Sequence, residues 1–167
     1  DTSDHEVNIK ILLGDAIRSG ALKAEARDKL LESMTAEVGA LVLEDNCNQT
    51  GAISIAQTSA AADLDSHERF IQRLEAAGKL SRRVEGLPLT ADIASLRAAK
   101  QGLSRPELAK LVAYAKIDLF DAIVASSAPD DAAFKEPLKA YFPKELWKFE
   151  PQMQTHRLRR EIIATKW

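Results

Sequence analysis

Apolar residues return at steps of three and four along almost the whole chain, and no run alternates with period two for more than a few residues. That spacing gathers apolar side chains on one side of a helix and would scatter them over both faces of a strand. The longest series passes through Val38, Leu41, Val42, Ile53, Ala56, Ala60, Leu64, Ile71 and Leu74, with His67 on the same stripe. The pattern predicts an all-α fold, an irregular multi-helix bundle with this long helix and a later one at its centre. The chain has 167 residues, 46% of them hydrophobic. That suffices for one domain, or one domain with an appendage, and for a core that needs no staples.

Start and stop signals divide the pattern. Ser3 and Glu6 have the spacing of a capping box, in which a hydroxyl and a carboxylate satisfy each other's backbone amides. Behind them Val7, Ile9, Ile11, Leu12, Leu13, Ala16 and Ile17 form a broad apolar face, and Gly20 has the position of a C-terminal glycine. A short helix from about Ala24 carries Leu30, Leu31 and Met34 inward. Thr35 is placed to cap the long helix, which Gly39 and Gly51 weaken and which Asp63 or Asp65 can restart after a bend. Ala77-Gly78 ends it, Gly86–Thr90 reads as a linker, and Thr90 is placed to cap a helix reaching about Lys100. Ser104-Arg105-Pro106-Glu107 is the cleanest start, with a capping serine, a first-turn proline and a box glutamate. The helix behind it is apolar on two sides, through Leu108, Leu111, Val112, Ala115, Leu119, Ala122 and Ile123, and through Tyr114, Ile117, Phe120 and Val124. Pro129, Pro143 and Pro151 punctuate the remainder, and a last helix is expected from about Gln152.

Composition narrows the class. The formal charge is −2, which gives no general attraction to nucleic acid or anionic membranes. No apolar run approaches the roughly 20 residues of a membrane span. No basic, apolar leader opens the chain. The single cysteine, Cys47, cannot form an internal disulfide, which suits a reducing, cytoplasmic setting. The final residues from Arg160 to Trp167 keep a helical pattern without a stop signal, so a piece of a longer chain is expected.

Candidate chemistry is sparse. His67 reads as an interhelical histidine, since no His or Cys three or four residues away completes a metal pair. His156, Arg157, Arg159 and Arg160 read as a carboxylate-paired or solvated face, with a phosphate or partner contact as the alternative. Lys116 and Asp118 read as an ion pair. The polar belt Glu44–Thr50 faces water or a neighbouring domain, or lines a site. Cys47 has no adjacent base in sequence. No glycine-rich phosphate loop occurs, so no catalytic, cofactor-binding or metal-binding residue is expected in this chain.

Three stretches carry a resemblance. They are Asp1-Thr2-Ser3-Asp4-His5-Glu6-Val7-Asn8-Ile9-Lys10-Ile11-Leu12-Leu13, then Gly102-Leu103-Ser104-Arg105-Pro106-Glu107-Leu108-Ala109, and His156-Arg157-Leu158-Arg159-Arg160-Glu161-Ile162-Ile163-Ala164-Thr165. In this order they resemble the C-terminal region of the large bacterial NAD-specific glutamate dehydrogenases. The resemblance implies that residues 1–20 are the last helix of an upstream dinucleotide-binding catalytic core, and residues 21–167 a C-terminal helical domain. It implies a parent enzyme that converts L-glutamate, NAD and water to 2-oxoglutarate, ammonia and NADH, with NAD held by that upstream domain. The parent is expected to be a homo-oligomer, and this piece alone inactive, serving a structural, oligomerisation or regulatory purpose. Smaller glutamate dehydrogenases carry a G-V-x-x-S-x-x-E-like stretch whose serine holds the substrate's distal carboxylate. Ser3-Asp4-His5-Glu6 looks like its second half, which implies that Ser3 is substrate-binding. Asp4 and His5 stand where those enzymes usually have aromatics. A hydroxyl can cap a helix and still donate to a carboxylate, and a cap-only serine is the alternative. The competing reading of the whole chain is a non-enzymatic helical interaction module.

Overall fold

The computed structural model describes residues 2–166, with the side chain of Thr2 set aside. Asp1 and Trp167, which begin the first quoted stretch and end the helical tail, lie outside the described residues. Among those described there is no strand, as the apolar spacing predicts. The helices are α1 (Thr2–Arg18), α2 (Arg27–Ser33), α3 (Thr35–Thr58), α4 (Leu64–Ala76), α5 (Arg82–Glu85), α6 (Thr90–Ala98), α7 (Arg105–Ala125), α8 (Lys135–Tyr141), α9 (Glu150–Gln154) and α10 (Arg159–Thr165). Short 3₁₀ turns precede α2 and join α7, α8 and α9.

The chain forms two compact units. One comprises the residues up to Asn46 together with those from Asp118 onward, and the other is Cys47–Ile117. Helices α3 and α7 supply residues to both. In the first unit, Ile9, Leu12, Leu13 and Ala16 of α1 share a core with Met34, Val38, Leu138, Phe142, Leu146, Phe149, Met153, Ile162 and Ile163. Leu12, Leu13, Leu138, Leu146 and Met153 are completely enclosed. Burying each such side chain contributes about 1.5–3 kcal/mol, so this joint core dominates the unit's stability. In the second unit, Leu64, Ile71 and Leu74 of α4 meet Leu80, Leu87, Ile93, Leu103, Leu108 and Leu111.

Helix ends follow the expected chemistry where glycine sets them and depart from it where hydroxyls were expected to. Gly20 has φ +75° and donates to the Ile17 carbonyl, closing α1. Gly78, at φ +67°, donates to Glu75 O while Lys79 N donates to Leu74 O, a Schellman closure of α4. At α7, the Glu107 carboxylate accepts from both the backbone N–H and the hydroxyl of Ser104, each at 2.7 Å. Half of the predicted box is therefore present, and the serine hydroxyl donates where it was expected to accept. Thr35 does not cap α3. Its hydroxyl donates back to Glu32 O at 3.0 Å, onto the end of α2. At α6 the residue before the helix is Leu89, whose N–H reaches Asp92 Oδ2 at 2.8 Å, and Thr90 is already helical. Helix α1 likewise begins at Thr2, which places Ser3 inside it, and Glu6 pairs forward with Lys10 at 3.4 Å.

On α3 the predicted stripe is buried or half-buried and apolar residues off it are exposed, while α7 is wetter than its pattern implies. Leu43 and Ile55 on α3 are 64% and 73% exposed, and Ile117 and Leu119 on α7 are 56% and 47% exposed. The expected bend is real: α3 ends at Thr58 and α4 starts at Leu64, directly after Asp63. The single last helix is instead two, because the chain turns at Thr155–Leu158 between α9 and α10.

Two loop positions in the second unit carry opposite constraints. A Cβ on Gly102 would sit 2.2 Å from the Ala60 carbonyl carbon, so two backbone segments touch there. Lys100 closes α6 in the left-handed region at φ 54°, a place usually given to glycine. Gly102→Ala should destabilise the protein by about 3 kcal/mol through forced backbone separation. Lys100→Gly should stabilise it by roughly 0.5–1 kcal/mol. Chemical denaturation of both variants checks the pair, and a neutral Gly102→Ala would disprove the close approach.

Candidate functional site

Ser3 lies in the first turn of α1 and is exposed, on the side away from the core. One turn along, the helix presents polar groups inward. His5 and Asn8 precede Ile9 and Leu12 on the buried stripe, and His5 is only 3% exposed. The His5 ring stacks on Tyr141 of α8 with centroids 4.4 Å apart and planes 15° from parallel. Asn8 Nδ2 donates to the Tyr141 hydroxyl at 2.7 Å. Tyr141 is itself buried and meets Phe142 edge-on at 5.1 Å.

Asp45 completes the cluster. It is the half-buried member of the polar belt, whose other residues are exposed. Its Oδ2 lies 3.7 Å from His5 Nε2, and its Oδ1 accepts from Lys166 Nζ at 3.0 Å. The first distance is electrostatic contact rather than a hydrogen bond of ordinary geometry. Burial pushes the His5 pKa below its usual value, outweighing the upward pull of Asp45. The neutral ring keeps its proton best on Nε2, facing the carboxylate, which leaves Nδ1 an acceptor. Nδ1 and Asn8 Oδ1 are both buried without a hydrogen-bond partner among the described residues.

His156 has a different task. Leu158 N–H donates to its Nδ1 at 3.1 Å, so the ring proton sits on Nε2 and points to the Asn8 carbonyl at 3.1 Å. This exchange turns the chain between α9 and α10 and ties that turn to α1. Arg157 is exposed, and Arg159 and Arg160 are structural. Arg159 reaches Asp130 Oδ1 at 2.7 Å, and Arg160 bridges Asp130, the Ser126 carbonyl and the Val124 carbonyl, the last at 3.0 Å. Arg160 thus covers carbonyls at the end of α7, and its hydrogen bond is the main cause that lowers the Asp130 pKa.

The second unit holds an open cleft of about 1240 Å³ lined by Arg82, Leu87, Leu96, Lys100 and Leu103 among others. Its polar groups are mostly committed. Arg82 Nε donates to Glu75 at 2.8 Å, Asp92 holds the start of α6, and Glu107 the start of α7. His67 on α4 is half-buried, with Nδ1 lacking a partner among the described residues. Cys47 is exposed. No group of His, Cys, Asp and Glu among the described residues could hold a metal ion. Among the described residues no helix is long and apolar enough to cross a membrane.

Sequence reasoning singled out His67 for lying on an apolar stripe, yet passed over His5, which heads the equally regular series His5, Ile9, Leu12, Ala16. Tyr141 and Lys166 carried no local signal, because their roles come from the approach of distant segments.

The three histidines make a pH signature. Burial is the first cause lowering each of their pKa values. The unfolded chain therefore binds protons near the ordinary value of about 6.5 while the folded chain binds them only at lower pH, and stability falls as pH drops through that value. The limiting slope is about 1.4 kcal/mol per pH unit for each histidine. Urea midpoints should decline between about pH 7 and 5.5, before carboxylates titrate in bulk. His156→Gln should lower the midpoint and flatten the decline. An unchanged slope would remove His156 from the account.

Known proteins match this arrangement in two blocks. Residues 1–56 match the family model "Bacterial NAD-glutamate dehydrogenase, catalytic domain", and residues 100–167 match "Glutamate dehydrogenase, C-terminal". An NAD-specific glutamate dehydrogenase of Pseudomonas aeruginosa is 44% identical over 167 residues, 99% of this chain. Those of Mycobacterium tuberculosis and Halomonas elongata are 43% and 41% identical over 166 and 165 residues. The chain spans about 10% of the length of each of these relatives. With both blocks in order and identity above 40% along the whole chain, this helical protein belongs to the family of the large bacterial NAD-specific glutamate dehydrogenases.

Proposed function

We propose that this chain is the non-catalytic brace of an NAD-dependent glutamate dehydrogenase, whose remaining length performs the hydride transfer. The parent reaction oxidises L-glutamate with NAD and water to 2-oxoglutarate, ammonia and NADH. Residues 1–20 are read as the last helix of the catalytic core, and residues 21–167 as the helical domain that covers it. One observation carries this reading. The buried face of α1, inside the block that matches the catalytic-domain model, shares one core with α8, α9 and α10, inside the block that matches the C-terminal model. The partner of the brace is then the upstream catalytic domain of the same chain, within a cytoplasmic homo-oligomer that binds NAD upstream. A non-enzymatic interaction module remains the competing reading.

Within that frame Ser3 is assigned to the distal carboxylate of glutamate. It sits exposed at the positive end of α1, where amides and dipole favour an anion by up to about 1 kcal/mol.

Two experiments test this reading. The purified chain alone should show no glutamate-dependent NADH formation, and turnover above the buffer rate would refute the brace. In the full-length enzyme, Ser3→Ala should raise KM for glutamate and 2-oxoglutarate and leave KM for NAD nearly unchanged. Losing one hydrogen bond to a charged group costs about 1.5–3 kcal/mol, roughly ten- to a hundredfold in kcat/KM. Lower thermal stability with wild-type glutamate kinetics would make Ser3 structural only.

A further inference from the structure

We propose that Tyr141 is a positioning residue for the glutamate site, holding the first turns of α1 so that Ser3 is presented at one fixed place. The proposal rests on the assignment of Ser3 to the substrate carboxylate.

The first turn of any helix lacks half of its ladder hydrogen bonds and frays unless something outside the ladder holds it. In α1 much of that hold comes from side chains far along the chain, Tyr141 foremost. Tyr141 grips two successive turns through two kinds of contact: its ring lies flat on His5, and its hydroxyl accepts from Asn8 Nδ2 at 2.7 Å. At 1.5 Å per residue, these grips fall about 3 and 7.5 Å along the axis from Ser3. Two grips at different heights on one face resist both sliding and rotation, where one would leave rotation free. Tyr141 is in turn immobilised by burial, by the edge of Phe142, and by Lys166 Nζ 5.8 Å from its ring centroid. His156 adds a third hold through the Asn8 carbonyl.

The uncommon feature is the polarity of this joint. The core that the rest of the α1 face enters is otherwise apolar, and apolar packing would serve stability alone. Here a buried tyrosine and histidine meet a half-buried asparagine in the turns that follow Ser3, with two buried acceptor atoms lacking a partner among the described residues. Directional contacts fix geometry more sharply than apolar ones. In a substrate site a displacement of about 1 Å can cost a hundredfold in rate.

A mutant cycle in the full-length enzyme tests the proposal. Tyr141→Phe keeps the ring on His5 and removes the hydroxyl, so the core stays filled. Asn8→Leu removes the donor from the other side. Each should raise KM for glutamate about three- to tenfold, with kcat changing less and KM for NAD unchanged. Combined with Ser3→Ala, neither should add a further rise, because both act through the serine. A lowered melting temperature with wild-type glutamate KM would reduce Tyr141 to a stability role and overturn the proposal. So would effects that simply multiply with that of Ser3→Ala. If Ser3→Ala itself leaves glutamate KM unchanged, the assignment of Ser3 has failed and this proposal falls with it. The first two failures occur with a Ser3→Ala variant that is impaired, so the two cases are distinct.

Discussion

The first unit depends on the burial of one face of α1 against helices that lie more than a hundred residues later in the chain. Ile9, Leu12, Leu13 and Ala16 meet Leu138, Leu146, Met153, Ile162 and Ile163 in a single core. A helix of this length is marginal in water on its own, and its stability comes from the partner it packs against. Without the C-terminal segment, α1 would present a stripe of leucine and isoleucine to solvent. The apolar contacts supply the energy of the joint, and hydrogen bonds of Asn8 with Tyr141 and His156 cross it at fixed points.

That arrangement changes how the two matched blocks are understood. By sequence they are separate, ending at residue 56 and starting at residue 100. In space, residues of both blocks complete one core, while Cys47–Ile117 folds around a second. The second unit has its own logic: α4 and α6 are joined by Arg97, which reaches Asp65 at 2.6 Å and Glu68 at 2.9 Å across their exposed sides. Such surface pairs add little, and the leucine core beneath them is the main support.

The polar cluster around Tyr141 shows what a helical fold costs when it buries hydrogen-bonding groups. His5 Nδ1 and Asn8 Oδ1 are removed from water with no partner among the described residues. Unmet buried acceptors are unfavourable by about 1–3 kcal/mol each. Purely structural joints avoid that cost with apolar side chains, which is why these groups point to geometry as their purpose.

The sequence by itself determined the helical class, the glycine-closed ends at Gly20 and Gly78, the break near Asp63 and the start at Ser104, because each follows from local periodicity or a residue's own backbone preference. It also carried the family, through long stretches of specific residues. Capping hydroxyls were less legible. Ser3 and Thr90 fall inside helices that begin at or before them, while the Thr35 and Ser104 hydroxyls donate where they were expected to accept, because a hydroxyl donates as readily as it accepts and the neighbouring chain decides which. Burial of α7 was overstated, since periodicity shows that a face is apolar and not whether anything covers it. Only the tertiary structure decided that Tyr141 meets His5 and Asn8, that Asp45 turns inward to Lys166, and that His156 breaks the last helix by taking the Leu158 amide. The contacts of Tyr141 and Lys166 join residues more than 120 positions apart, and no local spacing records which distant segments a packed core will bring together.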